Sequence, residues 1–287
     1  MRKRVAAVLF SLAGVSLSFG AETRTFTIQE PFGLAWGPDR VTYAVEFPQG
    51  EVRPAGVGLT DGAGQPVAVQ VTDVELWPDG KSVKKASVHF MASLQPGQRA
   101  AWTLTADKRT AKQPKTDVEA GEAHGGIELA NARTGVRLAG GKKTYAPAVD
   151  AKDVPAPLQA VRLSDGRWIG KGRWQADSKC TGYAAEIVEK GPVFARAKLR
   201  YEFEGGKFYA ATVELSAGQD LAVVSEEYNL SEGKRYPMTG VNGMRPDVQY
   251  GYVYPKFEPA EKALIWDWWG QTMAKLPTPS EYVFSFS

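Results

Sequence analysis

Alternate tyrosines at Tyr250, Tyr252 and Tyr254 in YGYVY, and three tryptophans at Trp266, Trp268 and Trp269 in LIWDWWGQT, have the types and spacing that could handle a ligand. Aromatic faces stack on the C–H faces of sugar rings, and Asp267 or Gln271 could hydrogen-bond hydroxyls, the composition of a polar ligand site. Tryptophan is equally a core and interface residue. In a strand, Trp266 and Trp268 share one face and Trp269 takes the other, so at least one of them is expected inside.

Acid–base chemistry has scattered candidates. Proton removal beside a carboxylate needs a base such as Tyr, His or Lys and a cation to hold the developing charge. His124 in EAHGG, His89 within a strand, and the three tyrosines with Arg245 nearby are available. Hydrolysis of a glycoside needs two carboxylates roughly 5 to 9.5 Å apart; Glu226, Glu227, Asp247 and Asp267 are present. None of these forms a spacing-defined motif, so the catalytic residues stay unknown. The bland readings are an exposed imidazole at His124, a strand-face residue at His89, and a half-exposed strand for the tyrosines.

Two histidines and one cysteine without clustered spacing argue against zinc, and no Asp-rich loop has calcium spacing. No glycine-rich loop follows a strand and opens a helix, so no nucleotide cofactor is expected. Cys180 is alone, which rules out an intrachain disulfide and suggests a buried, inert thiol. Stability must then come from packing.

The chain opens on MRKR and the apolar, small-residue run VAAVLFSLAGVSLSFG, the pattern of a secretory signal ending near Gly20 or Ala21. The run is shorter than the roughly 20 residues a membrane span needs, so no span is expected after cleavage. A periplasmic or extracellular location follows. The 35 Lys and Arg exceed the 32 Asp and Glu by three, and Arg2, Lys3 and Arg4 leave with the signal. The remaining chain is neutral in bulk, which gives no electrostatic case for nucleic acid.

Period two dominates what remains. In RVTYAVEF, Val41, Tyr43, Val45 and Phe47 share a face; in PVFARAKLRYEF, Val193 to Phe203 alternate against Arg196, Lys198, Arg200 and Glu202. Further strands are expected at 25–29, 56–60, 67–76, 83–92, 100–106, 158–164, 183–189, 208–215 and 221–230, separated by Gly, Pro and Asp turns. In LWPDGKSVKKASVHF, Pro78, Asp79 and Gly80 supply a hairpin turn, and Lys81, Lys84 and Lys85 read as solvated charges. A short helix is conceivable over 259–266, with Pro259 in its first turn. The polar stretch after residue 107 reads as a linker.

The segments EPFGLAWGPDRVTYAVEFPQGEV and VGLTDGAGQPVAVQVTDVELWPDGKSVKKASVHFMASLQPGQRAAWTL resemble the N-terminal barrel-like β-sandwich of exo-acting rhamnogalacturonan lyases and their bacterial relatives. GIELANARTGVRLAGG and EIVEKGPVFARAKLRYEFEGGKFYAATVELSAGQDLAVVSEEY are similar to further β-sandwich portions of that group. These matches are built of turn and core residues, which report fold better than chemistry. The sequence departs from the pattern at Lys81, inserted in the W-P-D-G-S-V-K stretch. It also lacks the long amphipathic helices of the toroid in which the lyases are thought to hold their catalytic groups.

The expectation is an all-β protein of two tandem sandwich or barrel-like domains: a signal peptide over 1–21, an N-terminal domain over 22–107, a linker over 108–120 and a C-terminal domain over 121–287. The last ends on EYVFSFS in mid-alternation, as a truncated domain would. The resemblance implies a secreted module of a polysaccharide-degrading protein, positioning a polysaccharide of pectic type or supporting a helical catalytic domain absent from the chain. Alternatives are a self-contained polysaccharide lyase or glycoside hydrolase, and a non-catalytic cell-surface interaction protein.

Overall fold

The computed structural model describes residues 22–174 and 176–230 and the backbone of the strands at 238–239, 246–253, 263–267, 273–276 and 283–286. It is all-β, with antiparallel pairing throughout. The chain divides into a larger compact unit, Phe10–Thr239, and a smaller one holding the strands after residue 240.

Seven strands build the first sandwich: β1 (Glu22–Gln29), β2 (Trp36–Glu46), β3 (Val57–Asp61), β4 (Pro66–Val67), β5 (Gln70–Leu76), β6 (Val83–Leu94) and β7 (Arg99–Ala106). They form a sheet of order β1-β7-β3-β4 and another of order β2-β6-β5. Alternation sends Val45, Val88, Phe90, Leu94, Leu59 and Leu104 into one core, all at most 3% exposed. Each such side chain contributes roughly 1.5–3 kcal/mol by leaving water.

The LWPDGK stretch turns β5 into β6 with Leu76 opposite Val83. The Asp79 carboxylate accepts the backbone N–H groups of Lys81 and Ser82, both at 2.8 Å, and Gly80 takes φ +64°, a conformation open to glycine. Lys81, Lys84 and Lys85 are exposed, and Lys84 pairs with Glu75 at 2.6 Å. Those lysines stand on the solvent side of a hairpin.

The second sandwich comprises β8 (Glu119–Ala123), β9 (Gly126–Ala130), β10 (Gly135–Ala139), β11 (Gly141–Asp150), β12 (Leu158–Arg162), β13 (Trp168–Ile169), β15 (Lys179–Lys190), β16 (Phe194–Phe203), β17 (Lys207–Ser216) and β18 (Ala222–Tyr228). Two short strands, β14 (Lys171–Gly172) and β19 (Met238–Thr239), pair separately. The sheets run β13-β12-β10-β9-β8 and β11-β15-β16-β17-β18. Ile127, Leu129 and Leu138 from the first meet Leu199, Tyr201 and Leu215 from the second. Trp174 fills the space between them, its ring edge-on to Tyr201, Phe203 and Tyr209 at 5.0–5.4 Å.

Between the sandwiches the chain is tied at both ends. Gln113 accepts the N–H of Val69 and donates to the Val57 carbonyl, while Asp117 accepts the N–H groups of Ala132 and Gly218.

The smaller unit is a four-stranded sheet of β20 (Pro246–Val253), β21 (Ala263–Asp267), β22 (Met273–Leu276) and β23 (Val283–Phe286) in the order β22-β21-β20-β23. Residues 263–267 are therefore strand, where a helix over 259–266 was conceivable from sequence. ALIWD is apolar and carries a β-branched and an aromatic residue, and it pairs on both edges, which outweighs the helix-compatible proline before it.

Candidate functional site

The sheet β11-β15-β16-β17-β18 has one face in the core and one open. Residues of one parity on β16, Leu199 and Tyr201, are buried, and the other parity, Arg196, Lys198 and Arg200, faces out. Register aligns these with their neighbours in rows. One row runs Lys142, Ala184, Arg200, Ala210, Glu227 across the five strands. The next runs Glu186, Lys198, Thr212, Ser225.

Alanine at 184 and 210 leaves low ground between long charged side chains, and the result is a groove of about 710 Å³ lined by both rows. Lys198 and Arg200 are two residues apart on one strand, roughly 6.6 Å, and Lys142 lies two strands from Arg200, roughly 9–10 Å. Lys142 and Lys198 have no ion-pair partner among the described residues. The Arg200 guanidinium stacks 4.6 Å over the Phe208 ring and donates to Glu202 at 2.6 Å. One fixed and two unpaired cations thus share a floor of small side chains.

The acids of this face do not make a hydrolytic pair. Glu186 on β15 and Glu227 on β18 are three strands and one row apart, on the order of 15 Å by strand spacing and rise, against the 9.5 Å upper limit for a glycosidase pair. Glu226 and Glu227 are successive residues of β18 and so take opposite faces, with Glu226 accepting the Tyr209 hydroxyl at 2.6 Å.

Along β16 the groove ends at the junction of the two sandwiches. Glu214 accepts from Arg196 at 2.9 and 2.7 Å and pairs with Arg40 of β2. Both guanidinium groups lie over Phe194, at 4.4 Å for Arg40 and 4.8 Å for Arg196. The first sandwich contributes a row of polar side chains, Thr42, His89 and Gln70, in cross-strand register. Gln70 accepts the N–H groups of Val193 and Phe194 at 3.2 and 3.0 Å.

His89 is 6% exposed. Its Nδ1 bonds the Thr42 hydroxyl at 2.9 Å and its Nε2 the Thr72 hydroxyl at 2.7 Å. Burial, with Arg40 close by, pushes its pKa down to about 4, so the ring is neutral at pH 7. The adjacent Asp73 is held below the usual carboxylate range by hydrogen bonds from Ser87 and Thr72. His89 is therefore a structural bridge with both nitrogens occupied, closed to a substrate.

His124 is exposed at the β8–β9 hairpin, where it and Gly125 take φ +53° and +75°, the pairing of a type I′ turn. Cys180 is fully buried, its Sγ donating to the Gly182 carbonyl at 3.4 Å, and burial pushes the thiol up. In the smaller unit, register sets Tyr250 opposite Asp267, Tyr252 opposite Ile265 and Trp266 opposite Gly251. Trp268, Trp269 and Tyr254 lie outside the described residues.

Sequence reasoning named Arg196, Lys198 and Arg200 only as the outward parity of a strand. Lys142 and Glu186 carried no local signal, because what makes them neighbours is register between strands more than 40 residues apart. Among the described residues no group of three or more His, Cys, Asp and Glu is placed to hold a metal ion, and no helix is long and apolar enough to cross a membrane.

No family model matches the chain. No curated protein matches it either. Among solved structures it is similar to a protein of glycosyl hydrolase family 38 from Enterococcus faecalis, with 11% identity and a TM-score of 0.46, over 85% of this chain. The match covers 38% of that protein, so the chain spans well under half its length.

Proposed function

We propose that the chain is a secreted β-sandwich module of a polysaccharide-degrading, rhamnogalacturonan lyase-like protein, and that it positions an acidic polysaccharide for a catalytic domain outside this chain. The observation that carries this reading is the groove over the second sandwich, where Lys142, Lys198 and Arg200 stand on a floor of Ala184, Ala210 and Thr212. Three cations spaced roughly 6–10 Å apart on a rigid sheet, Arg200 held by Glu202 and the two lysines without an ion-pair partner among the described residues, suit a polymer bearing repeated carboxylates. Thr212, Ser225 and the carboxylates of Glu186 and Glu227 offer partners for hydroxyls.

The turn and core motifs shared with rhamnogalacturonan lyases support the polysaccharide class, and the basic, apolar start of the sequence supports export. The wide separation of Glu186 from Glu227 speaks against hydrolysis in this groove. Positioning without cleavage can be tested on the purified chain mixed with rhamnogalacturonan and with polygalacturonate. Retardation in affinity electrophoresis with flat ultraviolet absorbance supports the module. A sustained rise in absorbance, the mark of an unsaturated uronate, would place a lyase within these residues instead.

A further inference from the structure

Four of the eight large apolar side chains that stand exposed among the described residues lie together, Leu221, Val223, Val224 and Tyr228, at 40–52% exposure. All four are in β18 or lead directly into it. β18 is an edge of the sheet β11-β15-β16-β17-β18, and no strand pairs with its outer side among the described residues.

A bare edge accepts another strand, and edges are commonly blunted by lysine, proline or a bulge. The opposite edge of the same sheet has all three: Lys142 and Lys143, Pro147, and a register shift between Thr144 and Val149. β18 has none of them and runs AVVSEEY in unbroken register with β17. Just beyond β18, Asn229 donates its backbone N–H to the Phe208 carbonyl beside β17. By alternation the odd-numbered residues turn their backbone groups toward β17, and Ala222, Val224, Glu226 and Tyr228 turn theirs to the open side.

We infer that β18 pairs antiparallel with β18 of a second copy of this chain, about a two-fold axis at Ser225. The sequence around that axis is self-complementary. Val224 meets the partner's Glu226, Val223 the partner's Glu227, and Ala222 the partner's Tyr228. No carboxylate stands opposite another, and all four residues with outward backbone groups are paired. An axis at Glu226 would set like charges face to face, and one at Val224 would leave Tyr228 without a strand partner.

The row Glu186, Lys198, Thr212, Ser225 then runs on into its own copy across ten strands. The two Lys198 residues stand five strand spacings apart, about 24 Å. This pairing goes beyond the polysaccharide reading and does not rest on it.

The test is the molar mass of the full chain by size exclusion with light scattering at about 100 μM, since a single strand pair is at the low end of interface sizes. A dimer is expected. Val224→Glu sets carboxylates opposite each other at two symmetric places and should weaken it about tenfold, whereas Val224→Lys meets the partner's Glu226 and should tighten it. Ser225→Cys lies opposite itself, roughly 4.5 Å apart between Cα atoms, and should form an intersubunit disulfide under mild oxidation that Val223→Cys does not. The native thiol of Cys180 is buried and does not compete. A monomeric wild type, equal weakening by Val224→Glu and Val224→Lys, or equal cross-linking of Ser225→Cys and Val223→Cys would each overturn the pairing.

Discussion

His89 of the first sandwich meets Phe194 of the second edge to face, with 5.1 Å between ring centroids. Around this contact Arg40 and Arg196 both pair with Glu214 and lie over the fully buried Phe194 ring, so the junction joins ion-paired side chains to an aromatic one. Such a junction is sensitive to the loss of any one partner, because a buried polar group left alone costs more than its bond gained.

The imidazole gives the junction a pH dependence. The pKa of His89 falls from 6.5 to about 4 on folding. Between those values the unfolded chain binds a proton that the folded chain refuses, so stability is full above about pH 6.5 and declines toward pH 4. Thermal midpoints measured across this range should fall more steeply for wild type than for His89→Gln. Parallel slopes would mean that the ring titrates normally in the folded protein.

Gly191 and Gln70 should be coupled. A Cβ at 191 would lie 2.2–2.7 Å from the Gln70 amide group, the same group that satisfies the buried N–H of Val193 and of Phe194. Gln70→Ala is expected to cost about 2–4 kcal/mol by orphaning two donors. Gly191→Ala should destabilise the wild type by expelling the amide, yet add little in the Gln70→Ala background. Denaturant melts of the four proteins give the cycle, and strict additivity would contradict the geometry.

Trp174 and Trp77 make a contrasting pair. Trp174 is enclosed by Tyr201, Phe203 and Tyr209, and Trp174→Ala should cost about 3–5 kcal/mol, a drop of roughly 10 °C in Tm. Trp77 is half-buried at the hairpin and donates to the Phe47 carbonyl at 3.0 Å. Trp77→Phe should cost about 1 kcal/mol. Calorimetric melts rank the two, and equal losses would contradict the core described for the second sandwich.

Much of the fold is legible in the sequence where alternation is strong. Tyr43, Val45 and Phe47 are buried as period two expects, and β16 alternates along most of its length. Weakly patterned strands were not legible. GKKTYAPAVD forms β11 although its residues are mostly exposed and it carries Pro147, because an edge strand needs partners on one side only. The sites were harder still. Polar alternation on β16 gives three outward cations, but only register with β11 brings in Lys142. Nothing local to His89 announces Phe194, a hundred residues on.

The central claim is that the cationic rows of the second sandwich hold an acidic polysaccharide, and charge reversal there tests it most directly. Affinity for polygalacturonate would be measured for wild type, Lys198→Glu, Lys142→Glu and, as a control on the far hairpin, Lys81→Glu, at low and at physiological salt. The account predicts binding that weakens with salt, falls about tenfold or more in the first two variants and is unchanged in the third. Equal affinity in all four proteins would remove the groove from function.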